Sequence, residues 1–109
     1  MSFNISVTFN DEENAWMILP QGDMDIYTST DFKDKVLSSF EAYNADLIID
    51  GQGLDYIDST GLGSLIGILK QVSESNFNVY LDNIKPNIRK LFTITELDKL
   101  FIIRGGEDE

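Results

Sequence analysis

The 109-residue chain contains neither cysteine nor histidine. Without thiols there is no disulfide framework and no thiolate metal site. Without imidazole, Ser-His-Asp and Cys-His catalysis is excluded, together with most zinc and non-haem iron centres. Chemistry run by carboxylates alone stays open. No stretch approaches the roughly 20 apolar residues that a membrane-spanning helix needs. The opening Met1-Ser2-Phe3-Asn4 carries neither a basic flank nor an apolar signal core. Together these absences lead to the expectation of a cytoplasmic protein with no membrane partner, no metal and no cofactor.

Positive charge is the next deficit, with 8 Lys and Arg against 19 Asp and Glu, a net charge of −11. A field of that sign repels phosphate backbones, so no direct nucleic-acid partner is expected. It suits a protein partner with a basic face, although solubility is the plainer use of such charge. Hydrophobic residues at 42% and charged residues at 25% are ordinary for a globular chain. A single domain of this length buries roughly 60–70% of its unfolded surface.

Phe3, Ile5, Val7 and Phe9 alternate with polar residues, the period of a strand with one buried face. Asp11-Glu12-Glu13-Asn14 reads as a turn into a second strand around Trp16–Leu19, disturbed at its far end by Pro20 and Gly22. Thr28, Ser29 and Thr30 are candidate caps for a helix whose apolar stripe is Phe32, Val36, Phe40 and Tyr43. Leu47-Ile48-Ile49 is apolar on both faces, as suits a central strand covered on each side. A second helix is predicted from Ser59 to about Ser75, with Leu62, Leu65, Ile66, Leu69 and Val72 buried. A strand follows over 76–81, then a helix opened by Pro86 and lined by Ile88, Leu91, Phe92 and Thr95. A last strand spans 100–103. The order β-β-α-β-α-β-α-β implies an α/β domain with a mixed, mainly parallel sheet and helices packed against it.

The chemistry concentrates in Leu54-Asp55-Tyr56-Ile57-Asp58-Ser59-Thr60-Gly61-Leu62-Gly63. Here the chain enters the second helix directly after Asp58, which sets the Ser59 hydroxyl among backbone N–H groups with no intrahelical partner. Those donors and the helix dipole would stabilise an anion. Gly61 and Gly63 clear side chains from around the hydroxyl. Each costs up to about 1 kcal/mol relative to alanine, which points to close approach of another backbone. Capping by Asp58 or Ser59 is the simpler use of the same residues.

Asp58-Ser59-Thr60-Gly61-Leu62-Gly63 resembles the signature of STAS-domain anti-sigma factor antagonists. Gly22-Asp23-Met24-Asp25 is similar to the family's Gly-x-x-Asp after the second strand, and Pro86–Phe92 to its third-helix pattern. The likeness extends from about Phe3 to Ile103. It implies one STAS-type domain over residues 1–104, an acidic tail over 105–109, and no enzymatic activity. It also implies phosphorylation of Ser59, with Thr60 the secondary candidate. The unphosphorylated form would bind an anti-sigma factor with GHKL-type serine kinase activity and so free a sigma factor. Phosphorylation would release the complex, and a serine phosphatase would reset it. Asp23, Asp25, Asp58, Ser59, Thr60, Gly61, Leu62 and Gly63 are the partner-binding residues this implies.

Three features depart from the family pattern. Asn76-Phe77 and Glu96 stand where relatives carry glycine, and little chain follows Ile103 to supply a C-terminal helix. Two other readings compete. STAS domains also serve as scaffolds or subunits in lipid-transport and stress-sensing assemblies. A dinucleotide site would use Gly61-Leu62-Gly63, but its third glycine falls on Ile66.

Overall fold

The computed structural model describes residues 3–105; the rest of the expected acidic tail, residues 106–109, lies outside them. Strand β1 (Asn4–Asn10) pairs antiparallel with β2 (Ala15–Met24) along its whole length. Between them Asn14 takes the left-handed backbone (φ 53°) that asparagine tolerates. Helix α1 (Ser29–Ala42) leads to β3 (Asp46–Asp50), and a 3-10 turn at Gly51–Gly53 leads to β4 (Leu54–Ile57). Helix α2 (Ser59–Glu74), β5 (Val79–Asp82), α3 (Pro86–Ile94) and β6 (Ile102–Arg104) complete the chain. The sheet order is β1-β2-β3-β5-β6, with every pairing after the first parallel.

The α/β class and the mixed sheet agree with the sequence; β4 was not expected. It pairs parallel with the far end of β2, Met24 opposite Ile57, beyond the stretch of β2 that pairs with β3. Strand β2 therefore changes neighbour midway. Pro20 falls between the two pairings, where no third strand flanks β2 and a missing N–H costs least. The period of Leu54-Asp55-Tyr56-Ile57 hid the strand, because four residues cannot display alternation.

All three helices share one face of the sheet. By register Trp16, Ile18, Leu47, Ile49, Val79, Leu81 and Ile103 lie on one side. Each belongs to, or packs against, a core that also holds Phe32 and Val36 of α1, Leu65 and Ile68 of α2, and Ile88 and Phe92 of α3. The opposite side carries the row Met17, Ile48, Tyr80, Ile102, none of which joins that core. Ile48 is still only 4% exposed. The expectation of helices on both faces of β3 is thus corrected: row neighbours shelter Ile48, not a second helical layer.

Three helix stripes also need correction. Tyr43 caps α1 and is exposed, packing its ring edge-on against Phe9 at 5.3 Å. In α2 the buried positions are Gly61, Leu65, Ile68 and Val72, so Ile66 faces solvent. Thr95 is exposed and turns its hydroxyl onto the Leu91 carbonyl at 2.8 Å. The predicted strand at 76–81 begins only at Val79, because Asn76 has φ 68° and turns the chain. The last strand is likewise displaced by a 3-10 turn at Leu97–Lys99, entered through Glu96 at φ 62°.

Asn76 and Glu96 both adopt the backbone that glycine favours. For glutamate this costs about 1–2 kcal/mol, and its exposed 3.3 Å ion pair with Lys99 returns little. Glu96→Gly is therefore expected to raise stability by up to about 1 kcal/mol in urea unfolding.

Candidate functional site

Two chain segments meet where β2 and β4 end side by side. The Asp58 amide donates to the Met24 carbonyl at 3.2 Å, which fixes the start of α2 against the end of β2. Asp58 is extended (φ −110°, ψ −170°) and caps the helix. Its Oδ1 accepts from the Thr60 amide at 3.0 Å, the Gly61 amide at 3.1 Å and the Thr60 hydroxyl at 2.6 Å. The Thr60 hydroxyl, then the Gly61 amide, holds the Asp58 carboxyl below its ordinary value, against a smaller opposing effect of burial. Asp58 thus takes two of the first-turn amides expected to face an anion at Ser59, those of Thr60 and Gly61.

This cap separates the two hydroxyls. Thr60 Oγ1 is committed to Asp58. Ser59, the first residue of the helix, is exposed, and among the described residues its hydroxyl has no hydrogen-bond partner. A group added to Ser59 would project outward, next to the Asp58 carboxylate.

The glycines divide in the same way. A Cβ on Gly61 would meet Ile57 Cγ1 at 2.6 Å and the Met24 carbonyl oxygen at 2.7 Å. Gly61 is thus required by the fold, where it lets α2 close onto the strand ends, and it is buried. A Cβ on Gly63 would meet nothing within 4 Å. Gly63 is exposed, so this chain's own packing gives no reason for it. Leu62 is half-buried against the core. Ser59, Gly63 and Ile66 follow at helical spacing as one exposed stripe of α2.

Asp25 follows Met24 as Asp58 follows Ile57, at the ends of paired strands whose spacing is about 4.8 Å. Its carboxylate accepts from the Tyr27 amide at 2.9 Å, its amide donates to Thr28 Oγ1 at 2.9 Å, and Thr28 donates to the Asp23 carbonyl at 2.8 Å. Asp25 thus shapes the turn into α1, and Thr28 braces that turn instead of capping with its side chain. The turn displays Ile26 at 65% and Tyr27 at 87% exposure. Neither was singled out from sequence, although two large apolar residues in a four-residue turn were the available signal. Asp23, Asp25 and Asp55 line one cleft of about 330 Å³ together with Phe3 and Tyr27. Asp55 is paired with Lys85.

Two outcomes follow from this geometry. Gly61→Ala should destabilise the domain by about 1–3 kcal/mol through overpacking, whereas Gly63→Ala should stabilise it by up to about 1 kcal/mol; chemical denaturation separates them. A lowered carboxyl value contributes stability that is complete above the ordinary carboxylate range and lost as pH falls through the folded-state value. The stability difference between the wild type and Asp58→Asn should accordingly shrink between about pH 7 and about pH 3, as read by urea unfolding at each pH. A difference that is constant with pH would contradict the cap's assignment.

Comparison with known proteins fits this architecture. The STAS domain profile matches residues 6–109. The anti-sigma-B factor antagonist of Staphylococcus aureus (strain NCTC 8325 / PS 47) is 27% identical over 108 residues, covering 99% of this chain and 98% of that protein. The crystal structure of tm1081 from Thermotoga maritima superposes with a TM-score of 0.85 at 20% identity, covering 94% of this chain and 86% of the other. The Bacillus cell fate determinant SpoIIAA in its phosphorylated form gives 0.73 at 20% identity, with 93% and 91% covered. The chain belongs to the STAS domain family.

Proposed function

We propose that this chain is an anti-sigma factor antagonist, a binding switch and not a catalyst, whose docking is controlled by phosphorylation of Ser59. The observation that carries the reading is the contrast between neighbouring hydroxyls: Ser59 is exposed and unengaged, while Thr60 is held by Asp58. The relatives named as anti-sigma factor antagonists supply the role, and phosphorylated SpoIIAA supplies a precedent for modification on this fold. The partner is an anti-sigma factor with serine kinase activity of the GHKL type; a serine phosphatase reverses the modification in the cytoplasm.

The docking surface is the exposed stripe of Ser59, Gly63 and Ile66 with the neighbouring Ile26 and Tyr27. Asp58 and Thr60 hold the helix end in place, and Asp23 and Asp25 supply the acidic turn beside it. Open space above Gly63 admits a partner's backbone. Exposed apolar side chains give such a contact its anchors, and carboxylates at its rim set charge complementarity to a basic partner.

Magnitudes permit the switch. A phosphoryl group adds about −1.5 to −2 charge. With one carboxylate of the partner about 7 Å from it, at an effective dielectric near 40, the repulsion on docking is about 2 kcal/mol. Desolvating that phosphate in the interface adds to the cost. A hundredfold loss of affinity needs only about 2.8 kcal/mol. The fold has no comparable reason to fail, since Ser59 buries nothing.

Incubation with the cognate anti-sigma factor kinase and ATP should place phosphate on Ser59, as mapped by mass spectrometry. Ser59→Ala should bind constitutively, and Ser59→Asp about a hundredfold more weakly, in a titration against that kinase. Modification confined to another hydroxyl would refute the assignment.

A further inference from the structure

The two edges of the sheet are treated unequally. One edge is the three-residue β6, whose Arg104 holds Asp82 through bonds of 2.8 and 2.9 Å and lies 4.2 Å from the Tyr80 ring centre. Short length and charge are the usual means of keeping an edge from pairing with another chain. Strand β1, at the other edge, has neither. Its 7 residues, Asn-Ile-Ser-Val-Thr-Phe-Asn, include no charge and no proline, although 25% of the chain is charged. Its register with β2 runs from Asn4 to Asn10 without a bulge. Among the described residues no strand other than β2 pairs with it.

Burial gives a second, independent indication. Ile5, Val7 and Phe9 share the helix-covered face with Pro20, Ile18 and Trp16. Ile18 is fully buried, yet Ile5, Val7 and Phe9 are only half-buried. A strand laid along the open edge would cover what they leave in water.

The sequence of β1 also specifies its occupant. We infer that β1 is a homodimer interface, in which two copies pair this strand antiparallel about a two-fold axis at Val7 and join their sheets into one. In that register Val7 faces Val7, Ile5 faces the second copy's Phe9, Ser6 faces Thr8, and Asn4 faces Asn10. Aliphatic and aromatic partners meet on one face, hydroxyls and amides on the other, and no like charges oppose each other. An isologous contact demands this self-complementarity.

Net charge opposes association, at −11 per copy. Antiparallel pairing, however, sends the two acidic turns at Asp11–Glu13 to opposite ends of the shared strands. Seven residues at about 3.3 Å each keep them about 23 Å apart, well beyond the screening length of about 8 Å at physiological salt. The interface is small, so the dimer is weak. The Ser59 site is not on β1 and stays free, which makes this inference independent of the proposed switch.

Sedimentation equilibrium of the whole chain from about 10 µM to about 1 mM, where weak contacts of about −4 to −7 kcal/mol associate, should show a monomer–dimer equilibrium. Ser6 and Thr8 are exposed, so the double variant Ser6→Lys, Thr8→Lys should fold, as circular dichroism would check. It should dimerise at least about tenfold more weakly, because like charges then face each other twice. The variant Ser6→Glu, Thr8→Glu should fail similarly, and an equimolar mixture of the two should associate again. A wild type that stays monomeric throughout, a dimer indifferent to both variants, or a mixture that remains dissociated overturns the inference.

Discussion

The hydrogen bond from the Asp58 amide to the Met24 carbonyl is the joint on which the entry into α2 depends. It ties the first residue before α2 to the last residue of β2, and it forms because β4 pairs with β2 up to that point. Gly61 makes the closure sterically possible. Asp58 holds it electrostatically by taking the Thr60 and Gly61 amides and the Thr60 hydroxyl. Among the described residues the Ser59 hydroxyl stays outside this joint. Its availability is a by-product of how thoroughly its neighbours are satisfied.

That economy separates two roles within a single hexapeptide. Asp58, Thr60 and Gly61 build the helix entry, whereas Ser59 and Gly63 contribute nothing to the domain's own packing. A fold tolerates such residues cheaply at a helix N-terminus, where the first N–H groups lack intrahelical partners in any case. The exposed Ile26 and Tyr27 belong to the same pattern. The turn that carries them is held by Asp25 and Thr28 through backbone and side-chain bonds, leaving the apolar residues free of structural duty.

Much of this was readable from sequence wherever one side-chain period dominated. The alternation in β1 and the helical spacing of Phe32, Val36 and Phe40 specified their elements, and the acid before Ser59 specified the start of α2. What escaped reading had physical causes. Strand β4 is too short for a period. Ile66 is apolar yet exposed, and hydrophobicity alone cannot distinguish a core side from a solvent side of the same helix. The helices' shared face is invisible in Leu47-Ile48-Ile49, because a row of side chains from adjacent strands shelters Ile48 as well as a helix would. The role of Asp58 was legible only as a capping preference; its capture of both the Thr60 groups needed coordinates.

Trp16, the lone tryptophan, donates its indole N–H to the Tyr43 carbonyl at 2.8 Å and meets the Phe9 ring at 5.1 Å. It therefore sits at the opposite end of β2 from Met24, about 26 Å away along an extended strand. The chain thus carries a built-in optical reporter that is deaf to events around Ser59. Its emission would register the environment of the outer strand and the end of α1, one half of the molecule alone.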